Sequence, residues 1–137
     1  MNVSAIPFNR FLGLRAGGGP LTLAADPKYH NHLGTVHASA QFALAEAASG
    51  QWLLDHFGDA VTDYVAVVRH VDVKYRRPAA GELTADASAV PGEAERFLDT
   101  LARRGRATIE VRVQVHGADG NATLESAFEW FAQQVRE

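Results

Sequence analysis

Five polar side chains lie just before and within one long apolar run: His30, Asn31, His32, His37 and Glu46. The carboxylate is the unusual one. Glutamate is a good helix former that normally sits on a wet face, yet between Thr35 and Phe57 the only other formal charge is Asp55. Set among Leu44, Ala45, Ala47 and Ala48, Glu46 needs either a partner or a chemical task. Burial there favours the neutral acid and pushes its pKa above the usual value of about 4.3, the direction that suits a general base. Blander readings stand beside this one. Glu46 could be a structural carboxylate tied to Arg69 or to a loop, His37 a helix-start residue bonding backbone, and Asn31 an ordinary turn asparagine. His30, His32 and His37 could also hold a zinc ion with Glu46 as base, although the rings of an extended His-x-His pair point in opposite directions.

A polar loop and the helix that follows it must position these groups. The apolar run from about Val36 to Phe57 predicts a long helix. Its small residues (Ala38, Ala40, Ala43, Ala45, Ala47, Ala48, Ser49, Gly50) allow close approach to its axis, and Phe42, Glu46, Ser49 and Leu53 share one face. Ahead of it, Ser4 to Leu14 reads as a short amphipathic helix with Pro7 in its first turn. Gly17-Gly18-Gly19-Pro20 reads as a turn without the Gly-Lys-Ser/Thr ending of a phosphate loop, and Leu21 to Ala25 as a short strand closed by Asp26-Pro27.

After Gly58-Asp59 the period changes to two. Val65, Val67, Val71, Val73 and Tyr75 fall on one face of a long strand, with Arg69 the exception, and His70, Asp72, Lys74 and Arg76 on the other. Arg77-Pro78-Ala79-Ala80-Gly81 ends it, and Leu83, Ala85, Ala87 and Ala89 mark a second strand. Glu93 to Arg106 offers one or two helical turns through Phe97, Leu98 and Leu101, stopped by Gly105. Two more alternating strands follow, Ile109 to Val115 and Leu124 to Trp130, with Asp119-Gly120-Asn121 as their hairpin. One-sided strands imply an antiparallel sheet, so the class is α+β, with a curved sheet wrapped around one apolar helix. An exposed edge strand in such a sheet is best covered by pairing with a second copy.

The remaining properties exclude more than they assign. At 137 residues the chain is expected to be one domain, 1–137, and its net charge of −3 and pI ≈ 6.0, without a basic run, argue against nucleic acid as a partner. There are no cysteines, hence no disulfide or thiolate chemistry. The opening residues lack a leader pattern and no apolar stretch reaches about 18 residues, so the expectation is a soluble cytoplasmic protein without membrane contact.

Taken together, Asn31-His32-Leu33-Gly34-Thr35-Val36-His37, Leu44-Ala45-Glu46 and Val73-Lys74-Tyr75-Arg76-Arg77-Pro78-Ala79 with Gly81 resemble hotdog-fold acyl-CoA thioesterases of the phenylacetyl-CoA thioesterase type. The resemblance runs from Leu21 to Trp130, with Asn31 six residues before His37 and Glu46 nine after it, as in that family. It implies a hotdog fold, no cofactor, and an acyl-CoA substrate handled by a homodimer or homotetramer. By that likeness Glu46 is general base or nucleophile, Asn31 orients the attacking water and His37 positions the thioester carbonyl. The Ala38 N–H then receives the oxyanion, at a point where Ala38-Ser39 replaces the family's Gly-Gly. The likeness also implies that each site forms between two subunits. Arg76, Arg77, Arg103, Arg104 and Arg106 are the candidates for the coenzyme A phosphates, chiefly the cluster around Gly105. His32 and Glu46 lie fourteen residues apart, a spacing similar to the His–Glu pair of hotdog dehydratases, which makes hydration chemistry the second enzymatic reading. A non-catalytic acyl-CoA-binding hotdog protein is the alternative from another class.

Overall fold

The computed structural model describes residues 2–61 and 63–135. Pro7–Leu12 forms α1, Leu21–Leu23 β1, Ala38–Val61 α2, Tyr64–Tyr75 β2, Leu83–Ser88 β3, Glu93–Arg104 α3, Arg106–His116 β4 and Ala122–Gln134 β5. The five strands make one antiparallel sheet in the order β1-β3-β4-β5-β2. Strictly alternating burial along β4 sends Ile109, Val111, Val113 and Val115 into the core and Glu110, Arg112 and Gln114 to solvent. The long helix α2 lies across this inner face, where Leu44, Ala45, Ala47 and Ala48 meet Val113, Val115, Leu124 and Phe128. A second cluster joins the far end of α2, through Leu53 and Phe57, to Phe97 and Leu101 of α3. A long helix on the concave face of an antiparallel sheet is the hotdog arrangement.

Several elements depart from their expected bounds, each for a local reason. The leading helix is shorter than Ser4 to Leu14: Val3–Ala5 is a 3-10 turn, Ile6 is extended ahead of Pro7, and Gly13 ends α1 in the left-handed region at φ 76°. Strand β1 stops at Leu23, and β3 stops at Ser88 rather than Ala89. Helix α2 starts two residues after Val36, because Val36 is held extended: its N–H bonds the Ala79 carbonyl at 2.9 Å and it bridges to His30. The same helix continues past Gly58, and α3 has twelve residues rather than one or two turns.

The largest correction concerns β2. Val68 pairs with Trp130 and His70 with Glu129, so Arg69 is an extra residue, a β-bulge that shifts the alternation by one. Val68, Val71 and Val73 therefore face the core, while Val65 and Val67 turn outward, 57% and 49% exposed. A two-residue period read straight through a bulge puts half of the strand on the wrong face.

Candidate active site

Two buried polar contacts fix how α2 sits on the sheet. Thr123 donates its hydroxyl to Oε1 of Gln41 at 2.9 Å, and Trp130 donates its indole N–H to the Ser49 hydroxyl at 2.9 Å. Ser49 in turn donates to the Glu46 carbonyl at 2.7 Å. Both pairs lie among apolar side chains, so rotating the helix would leave the Gln41 carboxamide oxygen and the Trp130 indole N–H unpaired. Gly50 lies against the Trp130 ring, where an added Cβ would sit 3.4 Å from it. This anchoring turns Glu46 onto a partly open strip of the helix beside Phe42, whose ring packs on Phe128 at 5.6 Å. Of the face expected to carry Phe42, Glu46, Ser49 and Leu53, the last two are covered, Ser49 by the sheet and Leu53 by the α3 cluster.

Glu46 is half-buried, and desolvation pushes its pKa up from the ordinary carboxylate value with no opposing ion pair or hydrogen bond among the described residues. Arg69 is not its partner. The Arg69 guanidinium lies 4.8 Å over the Phe131 ring, and Phe131 alternates with the inward Trp130 and so faces away from α2.

The loop before α2 is held by its own side chains. Asn31 Oδ1 accepts from the N–H groups of Leu33 and Thr35 at 2.9 and 3.1 Å, and Nδ2 donates to the Thr35 hydroxyl at 2.9 Å. His37 caps the helix: its Nδ1 accepts from the Ser39 N–H at 2.9 Å, while its carbonyl accepts from Ala40 and Gln41 at 3.0 and 3.2 Å. That bond places the proton of a neutral ring on Nε2, which leaves an outward donor. Of the first-turn amides, Ser39, Ala40 and Gln41 are thus satisfied; among the described residues the Ala38 N–H alone has no acceptor. Tyr75 reaches across to donate to the Ala38 carbonyl at 3.2 Å, a contact without any sequence signal.

Ala38 and Glu46 belong to one straight helix, eight residues apart, so about 12 Å of axial rise separates them. A single chain therefore does not bring the open amide and the carboxylate to the same small group. His30, His32 and His37 are all exposed, and no three metal-ligating side chains come together among the described residues. The three-histidine zinc arrangement is not assembled.

The five arginines divide between the two ends of the sheet. Arg76 and Arg77 follow Tyr75, near Ala38, and Arg76 pairs with Glu125 at 2.7 Å. Arg103 and Arg104 end α3, and Arg106 opens β4; Arg103 pairs with Asp99 at 2.9 Å. Arg106 sits opposite Gln133 and Gln133 opposite Val65, ten residues from Tyr75 along β2, or about 33 Å.

The fold is that of a hotdog domain, and its central helix carries an open amide at its start and a desolvated carboxylate two turns on. Residues 8–131 match the family described as a domain of unknown function, DUF4442, and the chain belongs to that family. No curated protein matches its sequence. Among solved structures it is similar to PA5026 of Pseudomonas aeruginosa, described as a protein of unknown function and probable thioesterase, at 26% identity and TM-score 0.83, over 97% of this chain and 91% of that one. It also shares its fold with the Haemophilus influenzae thioesterase HI1161, at 17% identity and TM-score 0.73, over 98% and 88% of the two chains. A third neighbour, BH2602 of Bacillus halodurans, was solved with CoA; it is 21% identical, TM-score 0.71, over 91% of this chain and 74% of that one. Among the described residues no helix is long and apolar enough to cross a membrane.

Proposed function

We propose that this protein hydrolyses acyl- or aryl-CoA thioesters at sites shared between two copies of the chain, with Glu46 of one copy facing the Ala38 loop of the other. The observation that carries the reading is Glu46, a desolvated carboxylate with no hydrogen-bond or ion-pair partner among the described residues, set among Leu44, Ala45, Ala47 and Ala48. Such a group stays on a fold because it has a task, and a raised pKa makes it a better acceptor of a proton from water. Glu46 would take that proton as the water oxygen adds to the thioester carbonyl. The oxyanion would fall to the unpaired Ala38 N–H of the second copy, aided by the positive end of its helix, while His37 Nε2–H steadies the carbonyl. Collapse of the tetrahedral intermediate breaks the C–S bond, and the thiolate takes back the proton held by Glu46. Asn31, with its carboxamide engaged within its own loop, would serve by holding that loop in shape. Arg76 and Arg77 stand nearest this end of α2 and are suited to the substrate phosphates.

Release of free thiol from a panel of acyl- and aryl-CoA thioesters tests this, with turnover expected for wild type and none for Glu46→Gln. Turnover by the variant at the wild-type rate on every substrate would sink the assignment. Asn31's engagement within its loop favours one rival, a non-catalytic acyl-CoA binder, which predicts binding without thiol release in both proteins.

A further inference from the structure

Helix α1 leaves Phe8 61% exposed, although Leu12 one turn on packs against the main core cluster. Phe8 forms one wall of a cavity of ≈ 300 Å³ beside the start of α2, lined further by Leu12, Tyr29, His37, Ser39 and Ala40. No carboxylate lines it, and Lys28 at its border is engaged over the Tyr29 ring at 5.1 Å. A large apolar side chain left open at a cavity offers a ligand a contact that water does not reward.

The walls are tied to one another and to the helix start. The Tyr29 hydroxyl donates to the Leu12 carbonyl, which pins the 3-10 turn Pro27–Tyr29 to the end of α1. The His37 N–H donates to the Tyr29 carbonyl at 2.7 Å, and Nδ1 of the same residue accepts from the Ser39 N–H. Buried Asn9 donates to the Val3 carbonyl at 2.9 Å and holds the other end of α1. A cavity built on such contacts keeps its shape before a ligand arrives, which lowers the cost of binding.

Its position restricts what it can take. His37 belongs both to the cavity wall and to the carbonyl position of the proposed hydrolytic site, and the open Ala38 N–H lies between the wall residues His37 and Ser39. A thioester carbonyl held there has two substituents to place. The coenzyme arm carries amides and phosphates and is far too long to end in this volume, whereas the acyl group is apolar and ends within a few bonds. The cavity equals about ten water volumes at ~30 Å³ each, room for one ring or a chain of up to about eight carbons.

From this arrangement we infer that the cavity between α1 and the start of α2 receives the acyl group of a short- to medium-chain or single-ring thioester, with Phe8 and Ser39 limiting its size. The inference rests on the thioesterase reading and adds to it a substrate class; it also places the acyl group on the copy that supplies Ala38.

Calorimetric titration with S-alkyl-CoA thioethers, which are not hydrolysed, tests this without turnover. For wild type, affinity should rise about three- to fourfold per methylene from ethyl to hexyl, benzyl should match hexyl, and dodecyl should gain nothing over octyl. Phe8→Ala and Ser39→Leu, both at exposed positions, should cut the hexyl-over-ethyl preference about fivefold or more and leave ethyl affinity unchanged. Phe11→Ala, on the same helix but outside the cavity lining, should keep the preference. Affinity independent of arm length, a steady rise through dodecyl, a preference that survives both cavity variants, or an equal loss in Phe11→Ala would overturn the inference and leave hydrolysis at Glu46 standing. A changed oligomeric state of Phe8→Ala in gel filtration would assign that surface to a second copy and overturn it too. Absence of binding by every thioether would overturn the inference together with the reading it rests on.

Discussion

The separation between Ala38 and Glu46 leads to a subunit-complementation experiment. The two groups are about 12 Å apart along one helix, so a shared site needs each to come from a different copy. Two variants disable one half each. Glu46→Gln removes the base and should cost about 10²–10⁴ in rate. Ala38→Pro removes the one open N–H of the first turn, at a position where proline suits a helix, and should cost about 10²–10³. Each homodimer then has two defective sites. Unfolding the variants together and refolding them one to one gives about half heterodimers, each with one site that carries both lesions and one intact site. The mixture should regain about a quarter of wild-type activity, because half of the dimers each restore half of their sites. Thiol release measured on the mixture and on each variant refolded alone gives the answer. A mixture no more active than its components would refute the two-chain site, and a homodimer of either variant with wild-type activity would refute the role of that group.

Other consequences follow from the same contacts. Desolvation raises the folded-state pKa of Glu46 above its unfolded value, so the fold favours the neutral acid; that stability is complete below the unfolded pKa and is lost as pH rises through the folded one. Glu46→Gln should accordingly raise Tm at neutral pH and lose that advantage in mild acid, a trend that scanning calorimetry from pH 4 to 8 would reverse if a hidden cation paired the carboxylate. Gln41→Ala removes the 2.9 Å acceptor on α2 and leaves the buried Thr123 hydroxyl only its 3.3 Å bond to the Val115 carbonyl, which should cost about 0.5–1.5 kcal/mol in denaturant unfolding. A cost near zero would show that the pair does not anchor the helix. Asn31→Ala removes three hydrogen bonds from an exposed loop, so its effect should appear in kcat/KM while Tm moves by only a few degrees; a large loss of Tm with unchanged kinetics would make Asn31 purely structural.

The sequence by itself determined the fold class and the odd carboxylate. Period-two strands, a long apolar helix and the Asp119-Gly120-Asn121 turn are local signals, and local signals survive in any tertiary context that does not oppose them. Glu46 stood out for the same reason, since a lone charge in a run of alanines is visible without coordinates. The folded chain decided the rest. Only strand pairing exposes the bulge at Arg69, because an inserted residue changes the register against a partner and leaves no mark on composition. Only packing shows that Arg69 is on the far face from Glu46, that Gln41 and Ser49 are the buried anchors, and that Arg76 and Arg106 stand at opposite ends of the sheet. These facts rest on contacts between residues far apart in the chain. His37, Ala38 and Glu46 were legible as a spacing along the start of one helix, and the rise of that helix, which sets Ala38 and Glu46 about 12 Å apart, is why the proposed site draws on a second copy.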